Sequence, residues 1–318
     1  MSPHAPALTA SAGSSEKRAA LRGQVVLITG GASGIGAATA GALLARGAVP
    51  VLIDCDSAAL AKTAGALGGS VLAIAADVTC MADCEAAVAT ALQVHGRVDV
   101  VWANAGIAAL GPLLLTDPAA WRRCVEVNVF GTFNIARAAL PAVVKQRGYV
   151  LATASVASFA HAPAVSAYAA SKAAVDAMCN AWRIELAAHG VGVGTVYASW
   201  VQTPLVAEGD LHPAFRRLRA TMPAPLRRAI DASVAAQMIC NGIEQRARRI
   251  WVPGWVRWLH WMRAALHTPL AERQLLQAAP EMEQHFLDTI ASSGVKASSL
   301  APRALAREGQ HRSTTGVD

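Results

Sequence analysis

Charge is scarce in this 318-residue chain: Asp, Glu, Lys and Arg together make up 15% of it, against 54% hydrophobic residues. So apolar a composition excludes global disorder and leaves material for a sizeable core. Long uncharged runs are missing as well. No stretch of 18 apolar residues is free of charge, so no membrane-spanning helix is expected. The first twenty residues, MSPHAPALTASAGSSEKRAA, lack the continuous apolar segment of a secretory signal and read as a disordered leader, 1–20. Residues 292–318, again small and polar, read as a disordered tail. The six cysteines are scattered, and the closest pair, Cys80 and Cys84, has no His or further Cys at metal spacing. No metal site is expected, and the thiols suit a reducing cytoplasm. Lysine is absent between Leu211 and Arg273, where eleven Arg face three acids, Asp231, Glu244 and Glu272. That bias suits a membrane surface, an anionic substrate or nucleic acid. No zinc finger, RNA-binding aromatic signature or basic helix-turn-helix accompanies it, so no nucleic-acid partner is expected.

What is present is alternation. Short runs rich in Val and Ile lie at 24–29, 49–54, 70–75, 98–103, 149–154 and 191–197, each reading as a strand buried on both faces. Ala-rich segments of helical period, 34–46, 83–95, 118–144 and 167–188, separate them. Strands alternating with helices imply an α/β fold with a doubly wound parallel sheet, whose ligands bind at the carboxyl edge of the strands.

The first strand runs into TGGASGIG, residues 29–36. Gly30 supplies the turn, Gly34 lets backbone approach a pyrophosphate, and Gly36 allows close packing of the helix that starts there; Ser33 and Ile35 lie in the same loop. The free N–H groups and dipole of that helix face the phosphates. A Rossmann-like dinucleotide site is expected. The second strand ends at Asp54, where a carboxylate accepts both hydroxyls of the adenosine ribose and repels a 2′-phosphate. NAD(H) is therefore expected over NADP(H), with Asp56 as the cap of the next helix.

The spacing T-G-x-x-x-G-x-G, joined to Tyr168-x-x-x-Lys172, resembles the short-chain dehydrogenase/reductase family. Other matches follow in order over residues 21–255: Asp77 and Val78 in ADVT resemble the adenine-contacting turn; Asn104, Ala105 and Gly106 in ANAG resemble N-N-A-G, with Ala103 in place of the first Asn; Asn128 sits in VNVFG; Ser155 stands thirteen residues before Tyr168. Thr203 follows the sixth strand as in the family, but Ala198-Ser199 replaces its Pro-Gly, which leaves the loop path and the pocket shape open.

The resemblance implies roles. Tyr168 is the general acid/base on the substrate oxygen, Lys172 lowers its pKa and holds the nicotinamide ribose, Ser155 hydrogen-bonds the substrate oxygen, and Asn128 holds a water linking Lys172 to solvent. Tyr168 and Lys172 lie i, i+4 on one helix and share a face. A phenol titrates near ~10, so a neighbouring ammonium together with the positive nicotinamide ring is expected to bring it toward neutrality.

Beyond a last strand at RRIWVPG (248–254), residues 256–291 read as an amphipathic helical extension. Over 254–270, Trp255, Trp258, Leu259, Trp261, Met262, Ala265 and Leu266 fall on one helical arc and Arg257, His260, Arg263 and His267 on the other, with Val256 as the exception. Three readings follow: peripheral membrane contact, a hydrophobic lid, or packing on its own domain or on a partner. All three favour a lipophilic substrate. Residues 203–231 carry four prolines, so several short pieces are expected in place of one helix. Their arginines either face solvent or meet a carboxylate, CoA or phosphate on the substrate. The sum is an NAD(H)-dependent dehydrogenase of a lipophilic secondary alcohol, cytoplasmic and homo-dimeric or homo-tetrameric through 118–144 and 167–188. An NADPH-dependent ketoreductase and a non-catalytic dinucleotide sensor are the rivals.

Overall fold

A computed structural model describes residues 21–224, 226–295 and 299. The expected leader lies outside the described residues. Seven strands, β1 (Val25–Thr29), β2 (Val49–Asp54), β3 (Leu72–Ala75), β4 (Val100–Ala103), β5 (Tyr149–Ser155), β6 (Gly192–Ala198) and β7 (Arg249–Val252), form one parallel sheet in the order β3-β2-β1-β4-β5-β6-β7. This is the Rossmann-like doubly wound sheet. Period-two alternation sorts its side chains: Val25 and Leu27 join the core on one face, Val26 and Ile28 the core on the other. The first core is closed by α3 (Met81–His95), α5 (Gly131–Lys145) and α6 (Ser166–Glu185), the second by α1 (Gly34–Ala45) and α9 (Ala232–Glu244). β3 corrects one expectation. It is an edge strand, and Ala73 and Ala75 are exposed, so it is not buried on both faces.

The helix expected over 118–144 is interrupted. α4 (Pro118–Val125), capped by Asp117, gives way to a π-helical turn at Glu126–Phe130 before α5 begins. Residues 118–145 are long and apolar enough to cross a membrane by length and composition, but half of that stretch is buried inside the protein. Between β2 and β3 lies α2 (Ser57–Ala66), capped by Asp56, whose side chain accepts from the Ala59 N–H at 2.9 Å. The proline-rich stretch forms two short helices, α7 (Pro204–Gly209) and α8 (Pro213–Ala220), each with proline in its first turn where no N–H is needed.

The single amphipathic helix expected at 254–270 does not form. α10 (Val256–Trp261) passes into a 3-10 segment, Arg263–His267, and then into α11 (Pro269–Ser293). The inward face is rotated by about a quarter turn from the expected arc. Val256, the apparent exception, is fully buried, and His260 is buried among the rings of Phe159, Tyr197 and Trp251. Trp258, Trp261 and Met262 are 60%, 77% and 56% exposed. The aromatic cage around His260 takes the place that the tryptophans were expected to fill. A third, smaller core joins α8 to α11: Leu110, Val165, Ala214, Leu218, Ala278, Met282 and Phe286. The tail does not begin at 292. α11 runs to Ser293, and Ser299 is buried, accepting from the Leu110 N–H and, through its hydroxyl, from the Asp117 N–H.

Candidate active site

Strand order reverses between β1 and β4, and a cleft opens where their carboxyl ends diverge. It has a volume of about 190 Å³. Gly30, Ser33, Gly34 and Ile35 line it from the first loop, Asp54 from the end of β2, Asp77 and Val78 from the turn after β3, Asn104, Ala105 and Gly106 from the turn after β4, Tyr168 and Lys172 from α6, and Thr203 from the start of α7. Gly36 does not line the cleft. A Cβ there would collide with the Gly30 carbonyl, so this glycine lets the loop close on itself.

The acidic residues of the cleft have distinct settings. The Asp54 carboxylate accepts from the backbone N–H groups of Ala32 (3.2 Å) and Asp56 (3.1 Å), which fixes its place at the strand end. Asp77 accepts from the Thr79 N–H and hydroxyl, both at 2.8 Å, and pairs with Arg123 at 3.1 Å. Burial works against the Asp77 charge, but the Thr79 hydrogen bonds and the Arg123 guanidinium outweigh it and hold the carboxyl below its usual range. Sequence reasoning passed over Arg123, Thr29 and Thr153. The Thr29 hydroxyl accepts from the N–H groups of Asn104 and Ala105, tying β1 to β4 across the switch point. Thr29 lay in the quoted glycine loop, and its place at the end of a strand was the available signal.

Around Tyr168 the elements converge. Lys172 is buried, and its ammonium donates to the Thr153 carbonyl at 2.8 Å. Ser155 ends β5, accepts from the Ala157 N–H at 3.1 Å and donates to the Ala198 carbonyl at 3.3 Å. Asn128 lines neither the cleft nor the chamber described below. Fully buried in the π turn, it accepts from the Ile107 N–H and donates to the Ile107 carbonyl, both at 2.9 Å, and to the Ser171 hydroxyl at 2.8 Å. It thereby pins the turn after β4 to α6. Gly106 sits between: a Cβ there would lie 3.0 Å from Asn128 Oδ1 and 3.2 Å from Lys172 Nζ.

Burial pushes the Tyr168 phenol up to about 12, against a hydrogen bond from Ser155. Burial pushes the Lys172 ammonium down to about 8. The expected drop of the Tyr168 pKa is therefore absent in the protein alone. Desolvation outweighs the Ser155 hydroxyl, and the ammonium is held on Thr153 and not on the phenol.

A second cavity of about 620 Å³ adjoins the cleft. Its walls are mainly apolar and include Val156, Val165, Trp200, Phe215, Trp255 and Leu259. Tyr168 and Ser199 line both spaces, while Ser155 faces only the chamber. Ser199, one half of the Pro-Gly replacement, donates its N–H to the Val252 carbonyl at 2.8 Å, so the loop leaves β6 still paired to β7. Of the residues expected on one arc of the C-terminal segment, Trp255, Leu259 and Leu266 line this chamber. Among the described residues, no group of three or more His, Cys, Asp or Glu is arranged to hold a metal.

Residues 24–212 match the sequence profile of the short chain dehydrogenase family. The chain belongs to that family. It is 38% identical over 183 residues to 2-(S)-hydroxypropyl-CoM dehydrogenase 3 of Xanthobacter autotrophicus, covering 55% of this chain and 71% of that one. It is 34% identical over 223 residues to the 3-oxoacyl-[acyl-carrier-protein] reductase FabG of Thermotoga maritima, covering 69% and 89%. Among solved structures, a short-chain dehydrogenase/reductase of Burkholderia phymatum in complex with NAD superposes with a TM-score of 0.69 at 28% identity, over 78% of this chain and 97% of that one. A 3-ketoacyl-(acyl-carrier-protein) reductase of Brucella melitensis complexed with NADH gives 0.66 at 30% identity, over 73% and 97%. This short-chain dehydrogenase is thus an oxidoreductase acting between CH–OH and C=O with a nicotinamide dinucleotide. The cleft fits such a cofactor: its glycine turn is too tight for a Cβ, and acidic groups mark its far end.

Proposed function

We propose that this short-chain dehydrogenase interconverts a lipophilic secondary alcohol and its ketone with NAD(H), Tyr168 exchanging the proton at the substrate oxygen. One observation carries the reading: Tyr168 is the titratable side chain shared by the cofactor cleft and the apolar chamber. A bound nicotinamide supplies or accepts the hydride. Tyr168 then gives or takes the proton at the oxygen, and Ser155, facing the chamber beside it, orients that oxygen. Lys172 binds the nicotinamide ribose and, once positive charge gathers in the cleft, favours the phenolate. Asn128 acts behind them by tying the turn after β4 to α6.

Asp54 supports NAD(H). Its fixed carboxylate at the end of β2 would face a 2′-phosphate with like charge. The chamber's apolar walls support a steroid, a terpenoid or a long acyl chain as substrate body. Exposed Phe130 and Phe133 at the start of α5 and Ile184 at the end of α6 support self-association as a homo-dimer or homo-tetramer through these helices. The free thiols of Cys80, Cys84, Cys124, Cys179 and Cys240 support a reducing, cytoplasmic setting.

The test is a panel of secondary alcohols, including hydroxysteroids, assayed for reduced cofactor with NAD and NADP in parallel. Turnover of bulky apolar alcohols with NAD is expected. Turnover of small polar alcohols alone would overturn the lipophilic reading. NADP(H) bound at least tenfold more tightly than NAD(H) would overturn the cofactor reading. Tight NADH binding with no turnover of any alcohol would favour a sensing protein.

A further inference from the structure

The chamber beside Tyr168 is apolar, yet its charge is lopsided. Among the described residues no Asp or Glu lines it, and its one Lys or Arg is Arg273. Arg273 stands near the start of α11, between Leu270 and Leu275, which line the same wall. Three arginines of the neighbouring α8 are engaged: Arg217 pairs with Glu281, Arg219 with Asp210, and Arg216 donates to the carbonyls of Asp210 and Leu211. Even the acid beside Arg273 is engaged, Glu272 lying 3.8 Å from His267. Arg273 is exposed, and its side chain has no ion pair or hydrogen bond among the described residues. A guanidinium offers a planar fork that takes a carboxylate through two parallel hydrogen bonds. The guanidinium is exposed to solvent, which screens part of that attraction, and the apolar walls beside it strengthen what remains.

We propose that Arg273 receives the carboxylate of an amphipathic substrate, a long-chain hydroxy or keto acid whose secondary oxygen reaches Tyr168 while its acid end lies at α11. This rests on reading the chamber as the substrate site. It adds a substrate class, a lipophilic acid, and a specificity-determining residue that stands on the C-terminal extension.

The experiment uses the full chain loaded with NADH. Binding of 10-hydroxystearate and of its methyl ester, both below their aggregation concentrations, is titrated calorimetrically for the wild type, Arg273→Gln and Arg273→Lys. The acid is expected to bind about tenfold more tightly than the ester in the wild type, the scale of a charge-assisted hydrogen bond at a partly open site. Arg273→Gln should remove that difference and leave ester binding and NADH binding unchanged, and Arg273→Lys should restore part of it. Equal binding of acid and ester by the wild type, or equal weakening of both by Arg273→Gln, overturns this inference and leaves the lipophilic reading standing. Binding of neither ligand overturns both.

Discussion

Lys172 stands one helical turn after Tyr168, yet its ammonium is held away from the phenol: Nζ donates to the Thr153 carbonyl at 2.8 Å and lies 5.7 Å from the centre of the Tyr168 ring. The ammonium therefore makes no direct bond to the phenol, whose partner is the Ser155 hydroxyl. On the proposed mechanism Tyr168→Phe removes the proton carrier and little else. Turnover should fall by at least ~10²-fold, the scale of a lost general acid/base, with NADH affinity unchanged. Steady-state rates beside NADH fluorescence titrations check this, and near-normal turnover would refute the assignment.

The same pair makes stability depend on alkaline pH, with opposite signs. Lys172 titrates at about 8 when folded against 10.5 unfolded. Between those values the unfolded chain holds more protons, so stability rises with pH; below about 8 both states are charged and the full cost of burial is present. Tyr168 titrates at about 12 when folded against 10.0 unfolded, so above pH 10 the folded chain holds more protons and stability falls. The Lys172 contribution is on the order of 3 kcal/mol across its window. Denaturant unfolding from pH 7 to 11 should show wild-type stability gaining on Lys172→Met between about 8 and 10.5. Parallel curves would show that burial does not depress Lys172.

Gly106 is tested by one methyl group. A Cβ there would stand 3.0 Å from Asn128 Oδ1 and 3.2 Å from Lys172 Nζ, so either the amide or the ammonium must shift. Gly106→Ala should cost at least ~10-fold in turnover, because displacements well below 1 Å at such a site are felt in the rate. Unchanged far-ultraviolet circular dichroism would show that the sheet survives. Full activity would mean that the turn after β4 relaxes freely.

Asp54 sets the cofactor ratio if its charge is what the ribose site presents. Asp54→Asn keeps a side-chain acceptor near Ala32 and Asp56 but removes the charge that faces a 2′-phosphate. The proposed preference for NAD over NADP should narrow by about tenfold or more, read as the ratio of kcat/KM for the two cofactors. An unchanged ratio would place the discrimination elsewhere in the cleft.

What could be read in advance followed from local rules, and what could not depended on neighbours distant in sequence. VVLIT, the glycine loop and the Asp56 cap are each decided within a few residues, and all lie where expected. Asn128 reads as an interior helix residue, because nothing local announces a π turn; its partners Ile107 and Ser171 come from other elements. The arc of tryptophans at 255–262 was turned by His260, whose apolar setting among Phe159, Tyr197 and Trp251 is a tertiary fact. The spacing Ala278, Met282, Phe286 did carry the i, i+4 signal of a packed helix face. Its partner on α8 did not, since Leu110, Ala214 and Leu218 meet it only in the folded chain.

That third core makes the wall of the chamber separable from the cofactor cleft. Phe286 is 2% exposed, and its ring lies 4.2 Å from that of His212, just before α8. None of the buried residues of this cluster lines the cleft, whereas Leu110 and Leu218 line the chamber. Phe286→Ala leaves a cavity between α8 and α11 worth about 3–5 kcal/mol in a well-packed core, enough to loosen α11. Amides of α11 should then exchange with solvent faster while those of β1 keep their protection. KM for a bulky alcohol should rise several-fold, with NADH affinity held within about twofold of the wild type. Loss of NADH binding in step with KM would show instead that wall and cleft unfold as one unit, and that the C-terminal helix supports the whole domain rather than the substrate chamber.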